Sequence, residues 1–184
     1  MGAEAVGMHM PASVTLDDLA AMNATDRNGH RYETGPEGVL SVMPLPDSEH
    51  ATIASRLFAW LIMAGWPVDQ LLQVAGVRIP GPGGYGGRIP DVTVWRKPPP
   101  RGVWLAVADL LLVIEIMSPG SEALDEVTKR HEYASAGIPQ YWVVGRDGAQ
   151  TVTLYRLTSG EAYQERAKIP LAWLLQTTPA DHLD

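Results

Sequence analysis

The segment Leu110-Leu111-Leu112-Val113-Ile114-Glu115-Ile116 restricts the fold of this 184-residue chain more than any other. A strand that is apolar on both faces has to be covered on both, so it belongs in the middle of a sheet. Alternation along a strand puts residues 113, 115 and 117 on one face and 112, 114 and 116 on the other. Glu115 therefore stands between Val113 and Met117 on a face that is otherwise apolar. An ionised carboxylate there is costly unless a cation or hydrogen bonds compensate it. An arginine across the sheet would suffice. So would a divalent metal shared with a second carboxylate, and Asp91 of Pro90-Asp91 offers one. Lys129, on the helix that follows, would add an ammonium, and such a trio suits metal-dependent phosphodiester hydrolysis.

A length of 184 residues with 46% hydrophobic content fits one domain, 1–184. Its expected parts are an N-terminal cover helix in 1–27, a core in 28–158, and a C-terminal edge strand and tail in 159–184. No stretch approaches the roughly 20 apolar residues of a membrane span, and Met1 to Pro11 lacks the pattern of a signal peptide. The expectation is a soluble, cytoplasmic protein with no membrane partner. The sequence contains no cysteine, which excludes disulfides, thiolate-held zinc, iron–sulfur clusters and a thiol nucleophile. Any metal must be held by oxygen or imidazole.

A net charge of −7 gives no global attraction to phosphate, so nucleic-acid binding would have to be local. Arg78, Arg88, Arg96, Lys97 and Arg101 cluster in the segment around Asp91. They are candidate DNA-phosphate contacts, Arg78, Arg88, Arg96 and Lys97 foremost, although a solvated basic face explains them equally well. The glycine-rich segment Gly81 to Gly87 has no Lys-Ser or Lys-Thr after it and reads as a flexible connection, not a phosphate loop. Neither Ser48 nor Ser118 lies in a Gly-x-Ser-x-Gly elbow, so a serine hydrolase has little support.

Thr15-Leu16-Asp17-Asp18 predicts a capped helix. His30–Thr34 and Val39–Met43 predict a hairpin around Gly35-Pro36-Glu37-Gly38. Asp47 or Ser48 caps a core-facing helix with Ile53, Leu57, Trp60, Leu61 and Ala64 at helical spacing, ended by Gly65 and Pro67. Three strands follow, over Leu71–Ile79, Ile89–Trp95 and Leu110–Ile116. Next come a helix from Ser121 to Ala136, a buried strand Gln140–Val144, and a last pair, Thr151–Leu157 and Glu161–Arg166, around Ser159-Gly160. This order gives an α/β (α+β) fold with a mixed sheet flanked by helices and additional N- and C-terminal hairpins. Leu124, Val127 and Tyr133 form no clean apolar stripe, so periodicity leaves the direction of Lys129 open.

An ordered set of short elements carries a family resemblance from about Arg31 to Leu157. It comprises Arg31-Tyr32-Glu33, Gly38, Met43-Pro44, Ser48-Glu49-His50, Pro90-Asp91, Glu115-Ile116-Met117-Ser118-Pro119, Asp125, Lys129, Glu132-Tyr133, Ala136-Gly137-Ile138-Pro139 and Tyr141-Trp142-Val143-Val144. The set resembles the bacterial restriction endonuclease family of the Uma-two type, within the PD-(D/E)XK nuclease superfamily. The resemblance implies a restriction-endonuclease-like core and an endonuclease that hydrolyses DNA with Mg2+ or Mn2+. It assigns Asp91 and Glu115 as metal carboxylates, Lys129 as the catalytic lysine, and Glu33 and His50 as second-tier residues for ligation or proton handling.

The superfamily's usual lysine position, two residues after the Glu, holds Met117. Val39, Gln140 and Gly145 replace acidic residues frequent in the family. A homodimer is expected because double-strand cleavage needs two sites. The competing expectation is a catalytically inactive interaction or DNA-binding module that keeps the nuclease fold. The missing lysine at 117, the acidic balance and six tryptophans favour it.

Overall fold

A computed structural model of the chain describes residues 14–158 and 162–183. Helix α1 (Leu16–Thr25) opens with the expected capping box, in which Thr15 and Asp18 satisfy each other's backbone N–H groups. The hairpin β1 (Arg31–Thr34) and β2 (Leu40–Met43) follows in antiparallel register. Asp47 caps α2 (Ser48–Met63) by accepting from the His50 N–H, and Ile53, Leu57, Trp60 and Leu61 form its buried stripe.

Two mixed sheets contain β3 (Leu71–Gln73), β4 (Gly76–Gly81), β5 (Gly84–Arg88), β6 (Val92–Trp95), β7 (Trp104–Ala106), β8 (Leu110–Ile116), β9 (Gln140–Val144), β10 (Thr151–Leu157) and β11 (Tyr163–Pro170). The six-stranded sheet has the order β11-β10-β9-β8-β6-β3, and β8 is buried along its whole length. β8 and β9 run parallel, joined by a helical crossover that ends in α3 (Arg130–Ser135). The five-stranded sheet has the order β2-β1-β5-β4-β7.

The two faces of the central sheet separate the core into two parts. Leu112, Ile114 and Ile116 of β8 meet α2 and α4 (Leu171–Leu174) on one side. Val113 and Met117 meet Val77 and Ile79 of the second sheet and Tyr133 of α3 on the other. Glu115 emerges on this second face, as alternation along the strand requires. The result is a central mixed sheet flanked by helices, with added hairpins.

Three elements depart from expectation. Leu71–Ile79 is not one strand, because Val74 has φ +53° and sends the chain from the six-stranded sheet into the five-stranded one. Such a backbone is rare for a β-branched residue, and the Val74 N–H is tied to the Asp91 carbonyl at 3.2 Å. The glycine-rich segment is mainly strand, since β4 and β5 form a hairpin through it. A Cβ on Gly86 would lie 2.5 Å from the Gly35 backbone and one on Gly81 2.3 Å from the Pro36 side chain, so these two glycines allow the two hairpins to approach closely. The C-terminal edge strand is present as β11, but it runs to Pro170, beyond the expected Arg166, and Leu171 and Leu174 after it are fully buried. The expected turn at Ser159-Gly160 lies outside the described residues.

Gly35 allows the first hairpin to reach the interior, because its Cβ position is 2.6 Å from Glu132 Oε1. That oxygen is locked in a buried pair with Arg88 and cannot retreat cheaply. Gly35→Ala should therefore destabilise the protein by about 1–3 kcal/mol. Thermal unfolding would show a fall of several degrees in Tm, and an unchanged Tm would mean the pair yields freely.

Candidate active site

Asp91 lies in the connection between β5 and β6, held from several sides. Its Oδ2 accepts from the Ile116 N–H at 2.8 Å, which fixes the carboxylate beside the backbone that carries Glu115. Its Oδ1 lies 3.0 Å from His50 Nε2 and 3.2 Å from an Arg31 nitrogen. Burial pushes this carboxyl up, but His50, Arg31 and the Ile116 N–H outweigh it and hold Asp91 below the ordinary carboxylate range. His50 reaches this position from the first turn of α2, which the Asp47 cap fixes. Its Nδ1 lies 3.4 Å from Ser118 Oγ.

Glu115 meets Lys129 across the same space. The Lys129 ammonium donates to Glu115 Oε1 at 3.0 Å, and the Tyr133 hydroxyl donates to the same oxygen at 2.8 Å. No hydrogen bond is made to Glu115 Oε2 among the described residues. Lys129 is 2% exposed, and Asp125 Oδ1 at 3.3 Å and Glu33 Oε2 at 3.5 Å flank its ammonium. Burial pushes Glu115 up to about 8; Lys129 pulls it down, while Asp91, Asp125 and Glu33 push it further up. Burial also opposes the Lys129 charge, but Glu115, Glu33 and Asp125 together hold its pKa above that of a free lysine.

A π-helical stretch, Leu124–Lys129, leads into α3 and turns both Asp125 and Lys129 inward. Such wide turns recur at functional sites. The Ser121 hydroxyl donates to Asp125 Oδ2 at 2.6 Å, and the Tyr141 hydroxyl donates to the Asp125 carbonyl at 2.8 Å. Both contacts brace the stretch.

Glu33 is fully engaged: Oε1 accepts from the Ile89 N–H at 3.0 Å, and Oε2 lies 3.4 Å from Arg88 and 3.5 Å from Lys129. It braces the approach to Asp91 and balances two cations. Arg88 departs from its expectation as a phosphate contact. It is 1% exposed, and Glu132 accepts two hydrogen bonds from it, both 2.7 Å long, as part of the interior.

Arg96 and Lys97 are exposed, but the Arg96 N–H bonds the Asp109 carbonyl at the far end of β6 from Asp91. Five residues of extended chain separate Arg96 from Asp91 by roughly 16 Å. Lys97 pairs with Asp109 at 3.0 Å, and Arg78 stacks over the Tyr85 ring at 5.2 Å. The basic cluster of the sequence is thus dispersed. Arg31, part of the family set, is the guanidinium that reaches Asp91. Its spacing two residues before Glu33 on a short strand was the available signal.

Five carboxylates, Glu33, Asp91, Glu115, Asp125 and Glu132, meet three permanent cations, Arg31, Arg88 and Lys129. Burial chiefly raises the Glu115 pKa and the neighbouring Asp91, Asp125 and Glu33 raise it further, and the hard oxygen donors of Asp91 and Glu115 fit a small divalent cation. Among the described residues, no three or more His, Asp or Glu side chains form a group able to hold a metal. A cation would thus depend on water and substrate for its remaining ligands, as Mg2+ commonly does. No helix among the described residues is long and apolar enough to cross a membrane.

No curated protein matches the chain. Among solved structures, a "putative nuclease belonging to DUF820" from Anabaena variabilis aligns with a TM-score of 0.58 and 20% identity, over 80% of this chain and 82% of that one. At that identity the likeness concerns the fold. The Uma2 family model, described as "Putative restriction endonuclease", matches residues 16–180 and so takes in every element from α1 to α4. Both β-sheets, the crossover helix and the Asp91–Glu115–Lys129 cluster fall within that span, and the chain belongs to the Uma2 family.

Proposed function

We propose that the protein is a metal-dependent endonuclease that hydrolyses DNA phosphodiesters, with Asp91 and Glu115 as the carboxylates for Mg2+ or Mn2+ and Lys129 as the catalytic cation. The observation that carries the reading is the arrival of Lys129, from a separate helix, 3.0 Å from Glu115 in a buried cluster short of positive charge. Family membership supports it. A divalent ion, when bound, would supply Lewis acidity towards the phosphoryl oxygen and water.

The chain's own groups do the rest. Asp91 stays ionised, because His50, Arg31 and the Ile116 N–H hold its charge. Tyr133 fixes Glu115 Oε1, so that Oε2 is the oxygen left for ligation. Carboxylates on three sides hold the Lys129 ammonium in place, where it orients the attacking water or stabilises charge developing on phosphorus. His50 serves Asp91 as a positioning partner. The chain as a single domain, cytoplasmic location and a homodimeric state belong to the same proposal.

The second reading is a non-catalytic module of the same fold. Its supporting observation is that His50 and Arg31 already satisfy Asp91 Oδ1 without a metal. Titration calorimetry with Mg2+ and Mn2+, paired with plasmid nicking, separates the two. Asp91→Asn keeps the acceptor for the Ile116 N–H but loses the charge. It should weaken metal binding by at least about tenfold, or 1.4 kcal/mol, and abolish nicking. If the wild type binds no metal and makes no nicks, the module reading takes over.

A further inference from the structure

A cavity of about 720 Å³ opens next to the candidate active site, and Arg31 belongs to both. Its size falls within the roughly 300–1,000 Å³ range of small-ligand pockets. The segment from Pro99 to Trp104 also lines it, with two prolines, Val103 and Trp104. Two guanidinium groups, Arg31 and Arg101, line the cavity against one carboxylate, Asp69. That local balance is opposite to the chain's net charge of −7. Among the described residues the buried Arg31 Nε–H has no hydrogen-bond partner, while another nitrogen of the same group holds Asp91.

We propose that this cavity is a nucleotide subsite, taking one unpaired nucleotide of the strand whose neighbouring phosphate lies at Asp91. The inference rests on the nuclease reading. The apolar lining from Pro99, Pro100 and Trp104 receives a base irrespective of its identity, and the two guanidinium groups receive its phosphate. A base inside a duplex is stacked on both sides and cannot enter such a cavity without leaving the stack. The preferred substrate is therefore single-stranded, or unpaired at the site of cleavage.

Fluorescence anisotropy with Ca2+ present tests this, using a labelled single-stranded DNA, the RNA of the same sequence and the matching DNA duplex. Wild type, Val103→Trp and Arg101→Glu would be compared. Val103 is 64% exposed and Arg101 is exposed, so neither change disturbs the core, and equal Tm values would verify this. The single strand should bind about tenfold or more tightly than the duplex, and each variant should lose about tenfold for the single strand alone. Tighter binding of RNA than DNA would keep the subsite and identify the strand as RNA. Equal affinity for single strand and duplex, insensitive to both variants, would overturn the subsite. If plasmid nicking survives in that case, only the subsite falls. If no nucleic acid binds and no nicking occurs, the nuclease reading falls as well.

Discussion

Glu115→Gln should abolish metal-dependent nicking, by about 10³-fold or more, and at the same time make the metal-free protein more stable at pH 8. Loss of a metal carboxylate removes several kcal/mol of transition-state stabilisation, and each 1.36 kcal/mol is a factor of about ten in rate. The stability gain follows from proton linkage. The Glu115 carboxyl has an ordinary value of 4.5 and is pushed up to about 8 in the folded protein, chiefly by burial. Between those values the folded state holds a proton that the unfolded chain has released, so stability falls as pH rises from about 4.5 to about 8 and levels off above. The penalty at pH 8 is on the order of a few kcal/mol. Glutamine retains an acceptor for Tyr133 and Lys129 but carries no charge to desolvate. Denaturant unfolding at pH 5 and pH 8 would show the wild type losing stability over that interval and the variant losing much less. A variant that still nicks DNA at the wild-type rate would remove Glu115 from the mechanism.

Lys129→Met should have the opposite effect on stability and the same effect on activity. The ammonium is the shared counter-ion of Glu115, Glu33 and Asp125, each within 3.5 Å. Breaking a buried ion pair by removing one partner costs about 3–5 kcal/mol, which lowers the Tm of a domain this size by roughly 10 °C. The loss should shrink on acidification, because burial raises the pKa of Glu115 and Asp125 and their protonation removes uncompensated charge. Adding Glu115→Gln to Lys129→Met should recover much of the stability and none of the nicking. That non-additivity is the signature of a coupled pair. If the two changes simply add, Lys129 and Glu115 are not linked through their contact.

Much of this architecture follows from local rules that the sequence displays. The α1 capping box needs only Thr15 with Asp18, and the α2 cap only Asp47. The buried face of α2 follows from 3.6-residue spacing, and the side of β8 from which Glu115 projects follows from two-residue alternation. The ordered family elements pointed to Asp91, Glu115 and Lys129, which the folded chain brings into one buried cluster.

Local periodicity could not establish the remainder. A π-helical stretch has a wider turn than the helix on which spacing arguments rest, so the residues around Lys129 form no apolar stripe although Lys129 itself points inward. The break at Val74 depends on a hydrogen bond to the Asp91 carbonyl, 17 residues away in sequence, which no local signal announces. Arg88 is basic and flanks Asp91 in the sequence, as a phosphate contact would, yet Glu132 and Glu33 draw it into the interior. The sequence by itself determined which residues form the central strand and on which face its carboxylate stands, because those depend on alternation and burial alone. Only the tertiary structure decided which cation meets which carboxylate, because charge pairing is non-local and is set by where the two sheets and the crossover helix converge.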